Sequence, residues 1–186
     1  MKKASILTLG LMAIMTSFIL SSCSKNEDAM TVVKATLYDS LGGTTMVTDP
    51  ANNSTKIEQA RLGIRSVVDS TIFVIAADPK LNGFFKVLLA EVTAGNTSGF
   101  AALSKDLTDF FCVATGAKNF TYTGLDMVAA HDPAKNSRMN GKSSSADFDQ
   151  FIADLVVGAN KNKLPSNLIN SVGALVNTLR SQVVQR

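Results

Sequence analysis

The chain has no tryptophan, one histidine, two cysteines and four prolines among its 186 residues. Each shortage closes off some chemistry. A single imidazole, His131, rules out HExxH and every protein-only metal site that needs several nitrogen or sulfur donors. The two cysteines, Cys23 and Cys112, form no Cys-x-x-Cys pair, so a structural zinc cage is excluded as well. No Walker loop and no GxSxG turn is present, and no Ser or Cys nucleophile stands in a recognisable strained turn. Cations and anions nearly cancel, 18 against 15. No basic block with interleaved aromatics occurs, which excludes nucleic acid as a partner.

What is present begins at the N-terminus. Met1-Lys2-Lys3 is a short cationic start, and residues 6–20 form an almost continuous apolar run. At about 15 residues that run is too short to span a bilayer comfortably. It ends in Leu20-Ser21-Ser22-Cys23. A positive end, a short apolar segment and small residues before a cut are the marks of a secretory signal. The small-small-Cys ending resembles the lipobox of bacterial lipoproteins, which implies a diacylated Cys23 as the first residue of the mature protein. The expected organisation is a signal peptide over 1–22, a lipidated Cys and flexible tether over 23–36, and one domain over 37–186. The tether carries the polar Ser24-Lys25-Asn26-Glu27-Asp28. The expected location is the cell envelope, lipid-anchored. The acidic Glu27-Asp28 pair points to the outer membrane, on its periplasmic or surface face.

Removing residues 1–22 takes away Lys2 and Lys3, so the basic excess falls from +3 to +1 and 164 residues remain for a single core. Lipidation of Cys23 leaves Cys112 as the one thiol, so no internal disulfide can form. Cys112 lies beside Phe110 and Phe111 in an apolar run, as a buried inert thiol does.

The domain reads as all-α. Residues 44–55, rich in Thr, Asn, Asp and Pro, read as a loop with room for a small hairpin. Ile64, Val67, Val68, Thr71, Ile72 and Ile75 recur at three and four, the stripe of an amphipathic helix starting near Ile57 and stopping before Asp78-Pro79. Leu81, Phe84, Phe85, Leu88, Leu89 and Val92 form a second apolar group, closed by Ala94-Gly95-Asn96. Phe100, Leu103, Leu107, Phe110, Phe111 and Ala114 make a third helix that Thr115-Gly116 ends. Ser144 or Ser145 caps a helix with Phe148, Phe151, Ile152, Leu155 and Val156 on its core face. Pro165-Ser166 opens a last helix carrying Leu168, Val172, Leu175, Val176, Leu179 and Val183.

His131 ends a short helical stretch that Asp132-Pro133 stops. Met127 and Val128 lie four and three residues before it, so the three share a face. A lone imidazole of this kind is either a hydrogen-bonded histidine with no ligand, or one axial ligand of a group that brings its own donors. Haem is such a group, because the porphyrin supplies four of the iron's ligands. Phe85, Phe110, Phe111 and Phe120 are available to line a flat apolar pocket.

The order of short motifs points further. Leu37-Tyr38-Asp39-Ser40-Leu41-Gly42-Gly43 is followed by Ala77-Asp78-Pro79-Lys80-Leu81-Asn82-Gly83-Phe84-Phe85. Then come residues 107–111, Tyr122-Thr123-Gly124 with Met127-x-x-x-His131, Ala146-Asp147-Phe148-Asp149, and Leu164-Pro165 ahead of the closing helices. In this order they resemble the group 1 truncated haemoglobins, the two-on-two globins, over residues 37–184. The resemblance implies a truncated globin fold with extended loops and a haem b whose iron is held by His131. It places Phe85 on the haem face, Phe111 and Met127 in the lining, and Ile72, Leu103 and Leu107 on the distal side. It implies O2, NO or CO as ligand. Any catalysis would be of the nitric oxide dioxygenase kind, with an external reductase. A non-enzymatic haem carrier or electron-transfer module, or a structural lipoprotein of globin-derived fold without haem, are the other functions it allows. No Cys-x-x-Cys-His occurs, so covalent c-type attachment is not expected.

Three departures from the family stand out. Many members carry Tyr where Ile72 stands and often Gln where Leu107 stands, so the usual donors to a bound ligand are absent. Residues 44–59 and 86–102 are longer than the family's, and so is 133–142. The longer 86–102 segment could bring Asn96, Thr97 or Ser98 into the pocket.

The lipobox reading is open to direct test. Labelled palmitate should be incorporated into the wild-type chain in the bacterium and vanish in Cys23→Ala. Equal labelling of the two would show that Cys23 carries no lipid.

Overall fold

The computed structural model describes residues 34–186. The expected signal peptide, Cys23 and most of the expected tether lie outside the described residues.

Eight helices and one hairpin make up the described chain. Helix α1 (Leu37–Ser40) is only a turn long. It persists because Thr36 and Asp39 close a capping box, each side chain taking the other's backbone N–H. Gly42 and Gly43 then turn the chain at φ +124° and +59°. A side chain at Gly42 would also strike Gln59. Strands β1 (Met46–Asp49) and β2 (Asn52–Glu58) pair antiparallel, with an irregularity between Thr48 and Asp49. The segment expected to be mainly loop is therefore a hairpin. It is mostly exposed, and a two-point bond from Arg65 to Asp49 (2.6 and 3.1 Å) ties it back to the next helix. That guanidinium holds the Asp49 carboxyl down to about 2.

Helix α2 (Gln59–Ala77) buries Ala60, Ile64, Val68, Thr71, Ile72 and Ile75, the stripe expected from the periodicity. It stops at Asp78-Pro79 as proline requires. The second apolar group does not form one helix. A 3₁₀ turn over Asn82–Phe85 precedes helix α3 (Lys86–Thr93). Helix α4 (Ser98–Ala114) follows, then α5 (Met127–His131) and α6 (Ser145–Lys161). Ser144 caps α6 through a capping box with Asp147. The closing helix expected to run through Val183 is broken in two, α7 (Ser166–Asn177) and α8 (Arg180–Val183). Thr178 turns its hydroxyl back to the Leu175 carbonyl, and the chain kinks so that α8 reaches α5. Among the described residues no helix is long and apolar enough to cross a membrane.

The core lies where α2 packs against α6 on one side and α4 on another. Tyr38, Val68, Ile72, Cys112, Phe148 and Val176 are buried together in it. At the crossing of α2 with α6, a methyl added to Gly158 would lie 2.9 Å from the Thr71 backbone nitrogen and closer still to its hydroxyl. The two helices thus meet almost backbone to backbone. A small apolar cleft of about 70 Å³, lined by residues including Leu41, Ile64, Val68, Phe111, Leu155 and Val172, lies between α7 and this crossing.

One polar pair is buried beside the crossing. Asp154 of α6 is 4% exposed and accepts from Gln150 through one oxygen. Its second oxygen and the second oxygen of Asp78 are buried without a donor. Desolvation first, and the facing Asp78 carboxylate as well, push the Asp154 carboxyl above its usual range, against Gln150 and Lys80. A proton on Asp154 would turn its free oxygen into a donor for the free oxygen of Asp78. Because the folded-state pKa is raised, this stabilisation is complete in acid below the unfolded value and is lost as pH rises through the folded one. Asp154→Asn puts an amide donor opposite Asp78 at every pH. The variant should exceed the wild type at pH 7.5 by about 1 kcal/mol, the scale of one hydrogen bond. Its advantage should shrink toward pH 4, as followed by thermal denaturation at the two pH values. A pH-independent difference would mean that no proton is shared.

Candidate functional site

His131 is the last residue of the five-residue helix α5. Asp126 begins that helix by accepting the Ala129 N–H at 2.9 Å. Leading into it, Tyr122 donates to the Leu125 carbonyl at 2.6 Å and packs edge-on against Phe110 of α4, with ring centroids 5.4 Å apart. This aromatic contact links α4 to the segment that carries the histidine.

The imidazole is partly buried, and its Nδ1 lies 2.8 Å from the Met127 carbonyl oxygen. A carbonyl can only accept, so Nδ1 carries the proton in this bond. The remaining nitrogen, Nε2, then presents a lone pair. Burial favours the neutral ring and pushes the imidazole below its ordinary range, against the opposing pull of the Met127 bond. A neutral imidazole with one N–H held by a carbonyl is the form in which histidine ligates a metal, with its ring orientation set by that bond.

Among the described residues no cluster of three His, Cys, Asp or Glu could hold a metal ion. The donor set therefore suits a group that brings its other ligands with it, as haem does, and the neutral Nε2 donor fits that group.

The other expected site residues fall into two sets. Ile72 on α2 is buried in the core cluster, with Leu103 and Leu107 of α4 packed against it as one apolar surface. Phe111 is in the same cluster, turned toward the apolar cleft beside Leu41 and Leu155. Its neighbour Phe110, partly buried, is the ring that meets Tyr122. Phe85 stands partly buried at the end of the 3₁₀ turn, and Met127 contributes the carbonyl that holds His131. The expectation for Asn96, Thr97 and Ser98 is corrected. They are exposed, and Asn96 spends its side-chain oxygen on the backbone N–H and hydroxyl of Ser98 at the start of α4. Residues 86–102 are mostly helix, which leaves only a short link to enter a pocket.

Three residues around His131 escaped the sequence reading as participants: Tyr122, Asn136 and Gln185. Tyr122 was visible only as part of a motif. The Asn136 side chain donates to the Ala130 carbonyl and that of Gln185 to the Val128 carbonyl, each at 2.8 Å. Neither stands in a periodic pattern, and Gln185 is 57 residues from its partner, so no local signal marks them.

No family model matches the sequence, and no curated protein matches it. Solved structures do match. The truncated haemoglobin of Tetrahymena pyriformis, in the ferric form of a single-site variant, aligns at 20% identity and a TM-score of 0.57. The alignment covers 82% of this chain and 100% of that one. The two-on-two haemoglobin of a Synechococcus species, in the cyanomet state with covalently attached haem, aligns at 22% identity and a TM-score of 0.56. Its coverage is again 82% of this chain and 100% of the other. The fold is that of the truncated haemoglobins. The hairpin β1–β2 packs against α2 outside its crossing with α4 and α6.

Proposed function

We propose that the protein binds one haem b through Nε2 of His131 and, through it, a diatomic ligand, O2 or NO, at the cell envelope, where lipid on Cys23 holds it. The observation that carries this reading is the partly buried neutral imidazole whose Nδ1 is engaged by Met127, leaving the Nε2 lone pair free. The truncated globin fold supports it, because both solved neighbours are haemoglobins.

When bound, haem would supply four of the iron's donors and an iron able to take up a small diatomic molecule. The protein supplies the rest. His131 would hold the iron through Nε2. Phe85 and Met127 would offer apolar surface against a flat macrocycle and exclude water from it, whereas Phe111, turned to the cleft beside α7, would not reach it. Ile72, Leu103 and Leu107 form the opposite wall and carry no hydrogen-bond donor. Turnover of NO would require electrons from an external reductase.

Haem uptake is the direct test. Residues 24–186, purified without haem, should take up one equivalent on titration with an intense absorption band in the violet. His131→Ala should lose most of that binding and recover its spectrum with added imidazole. A chain that takes up no haem would favour the structural lipoprotein instead.

Ligand choice gives a second measurable outcome. O2 gains from a nearby donor through its partial negative charge, whereas CO gains little. With an apolar wall, O2 release should be fast and CO binding ordinary. Ile72→Tyr adds a donor there and should slow O2 release about tenfold, the equivalent of ~1.4 kcal/mol, while leaving CO release nearly unchanged. Flash photolysis and stopped-flow mixing measure both. Slow O2 release in the wild type would show that a polar group reaches the ligand after all.

A further inference from the structure

We infer that the side-chain amides of Asn136 and Gln185 are positioning residues for His131: together they clamp carbonyls of helix α5 from its two flanks and so set the direction in which the imidazole presents Nε2. The inference rests on the haem reading of His131 for its functional meaning. Its geometry stands apart from that reading.

A helix of five residues is far below the length that holds together by itself. Nearly all of its carbonyls fall in the last turn, where no N–H further along the helix can reach them. The carbonyls of Met127 to Ala130 are nevertheless each met by a donor. The Met127 carbonyl takes the His131 ring at 2.8 Å, and the Val128 carbonyl takes Gln185 Nε2 at 2.8 Å. The Ala129 carbonyl takes the Asp132 N–H at 3.3 Å, and the Ala130 carbonyl takes Asn136 Nδ2 at 2.8 Å. Two of these four donors are thus side-chain amides from outside the helix, one from each flank.

Both amides are themselves anchored. Gln185 follows a bridge between Ser143 and Val184. Its own N–H donates to the Ser143 carbonyl at 2.9 Å, and the Ser143 hydroxyl donates to the Val183 carbonyl at 2.6 Å. The C-terminal stretch of chain is thereby a strap laid across α5 by the kink before α8. On the other flank, the Asn136 oxygen accepts the Arg138 N–H at 3.1 Å. Arg138 is paired with Glu91 of α3 at 2.6 Å, and the Asn140 N–H donates to the Phe84 carbonyl at 2.9 Å. The loop holding Asn136 is therefore tied to the turn that presents Phe85. A slip of one residue in a helix turns a side chain by about 100° around the axis, enough to swing the imidazole off its line.

The test uses Asn136→Leu, Gln185→Leu, the double variant, and Gln185→Lys, which keeps a donor at that reach. In the haem-loaded protein, release of haem to an excess of a scavenging apoprotein should quicken about tenfold for each single variant, the scale of lost support behind a metal ligand. The double variant should be faster still, and Gln185→Lys should stay near wild type. The iron–imidazole stretching band of the ferrous protein should shift and broaden in the same order, which a loss of overall stability alone would not produce. In the haem-free protein, nitrogen-15 NMR of the single imidazole should show the Nδ1-protonated form in the wild type and a mixture of tautomers in the double variant. Folded variants with wild-type haem release and an unmoved iron–imidazole band would overturn the clamp, as would an unchanged tautomer in the double variant. If the wild type takes up no haem, the haem reading falls, and the NMR comparison still decides the clamp.

Discussion

Where α2 crosses α6, Gly158 lies against the backbone of Thr71, and any larger residue would force the helices apart. The rest of the architecture depends on this close approach. With α6 drawn in, the other flank of α2 is free to meet α4, so Ile72 can share one apolar surface with Leu103 and Leu107. Thr71 keeps its own hydroxyl from being stranded in the crossing by donating to the Val67 carbonyl at 2.8 Å. A buried hydroxyl without such a partner costs roughly 1–3 kcal/mol, a sizeable share of a domain's net stability.

At the far end of the same core, a polar network does the bracing. Arg61 lies over the Phe120 ring at 4.4 Å and pairs with Asp109 at 2.6 Å. Its guanidinium also reaches Cys112, while Tyr38 donates to Glu58 at 2.7 Å. Burial raises the Cys112 thiol to about 11, overcoming the pull of Arg61. Thiolate is the reactive form, so this cysteine stays inert at neutral pH. The network holds α1, the hairpin end and α4 together.

The histidine itself sits on the least self-sufficient element. Long amphipathic helices bury a stripe and are held by it; α5 has no buried residue at all. Its order comes from bonds made by chain on either side, above all the tail after α8. The break of the closing helix at Thr178 and Leu179 is thus what lets the C-terminus reach α5.

Much of this was legible in the residues. The stripe from Ile64 to Ile75, the stop at Asp78-Pro79, the cap at Ser144 and the lone imidazole with its Met127 neighbour follow from short-range rules of period, capping and valence. Those rules act over three or four residues, so the sequence by itself determined the main helices, the all-α class and the place of the single imidazole. The hairpin read largely as loop, because its exposed, polar strands carry no buried alternation. The 3₁₀ turn and the split closing helix share the same cause: their apolar spacing continues while the chain bends to satisfy contacts elsewhere. Only the tertiary structure decided that Phe111 turns to the apolar cleft while Phe110 meets Tyr122. It alone brought Asn136 and Gln185 to the carbonyls of α5. A partner as distant in the chain as Gln185 is from Val128 is chosen by where packed helices deliver it, and no local pattern encodes that.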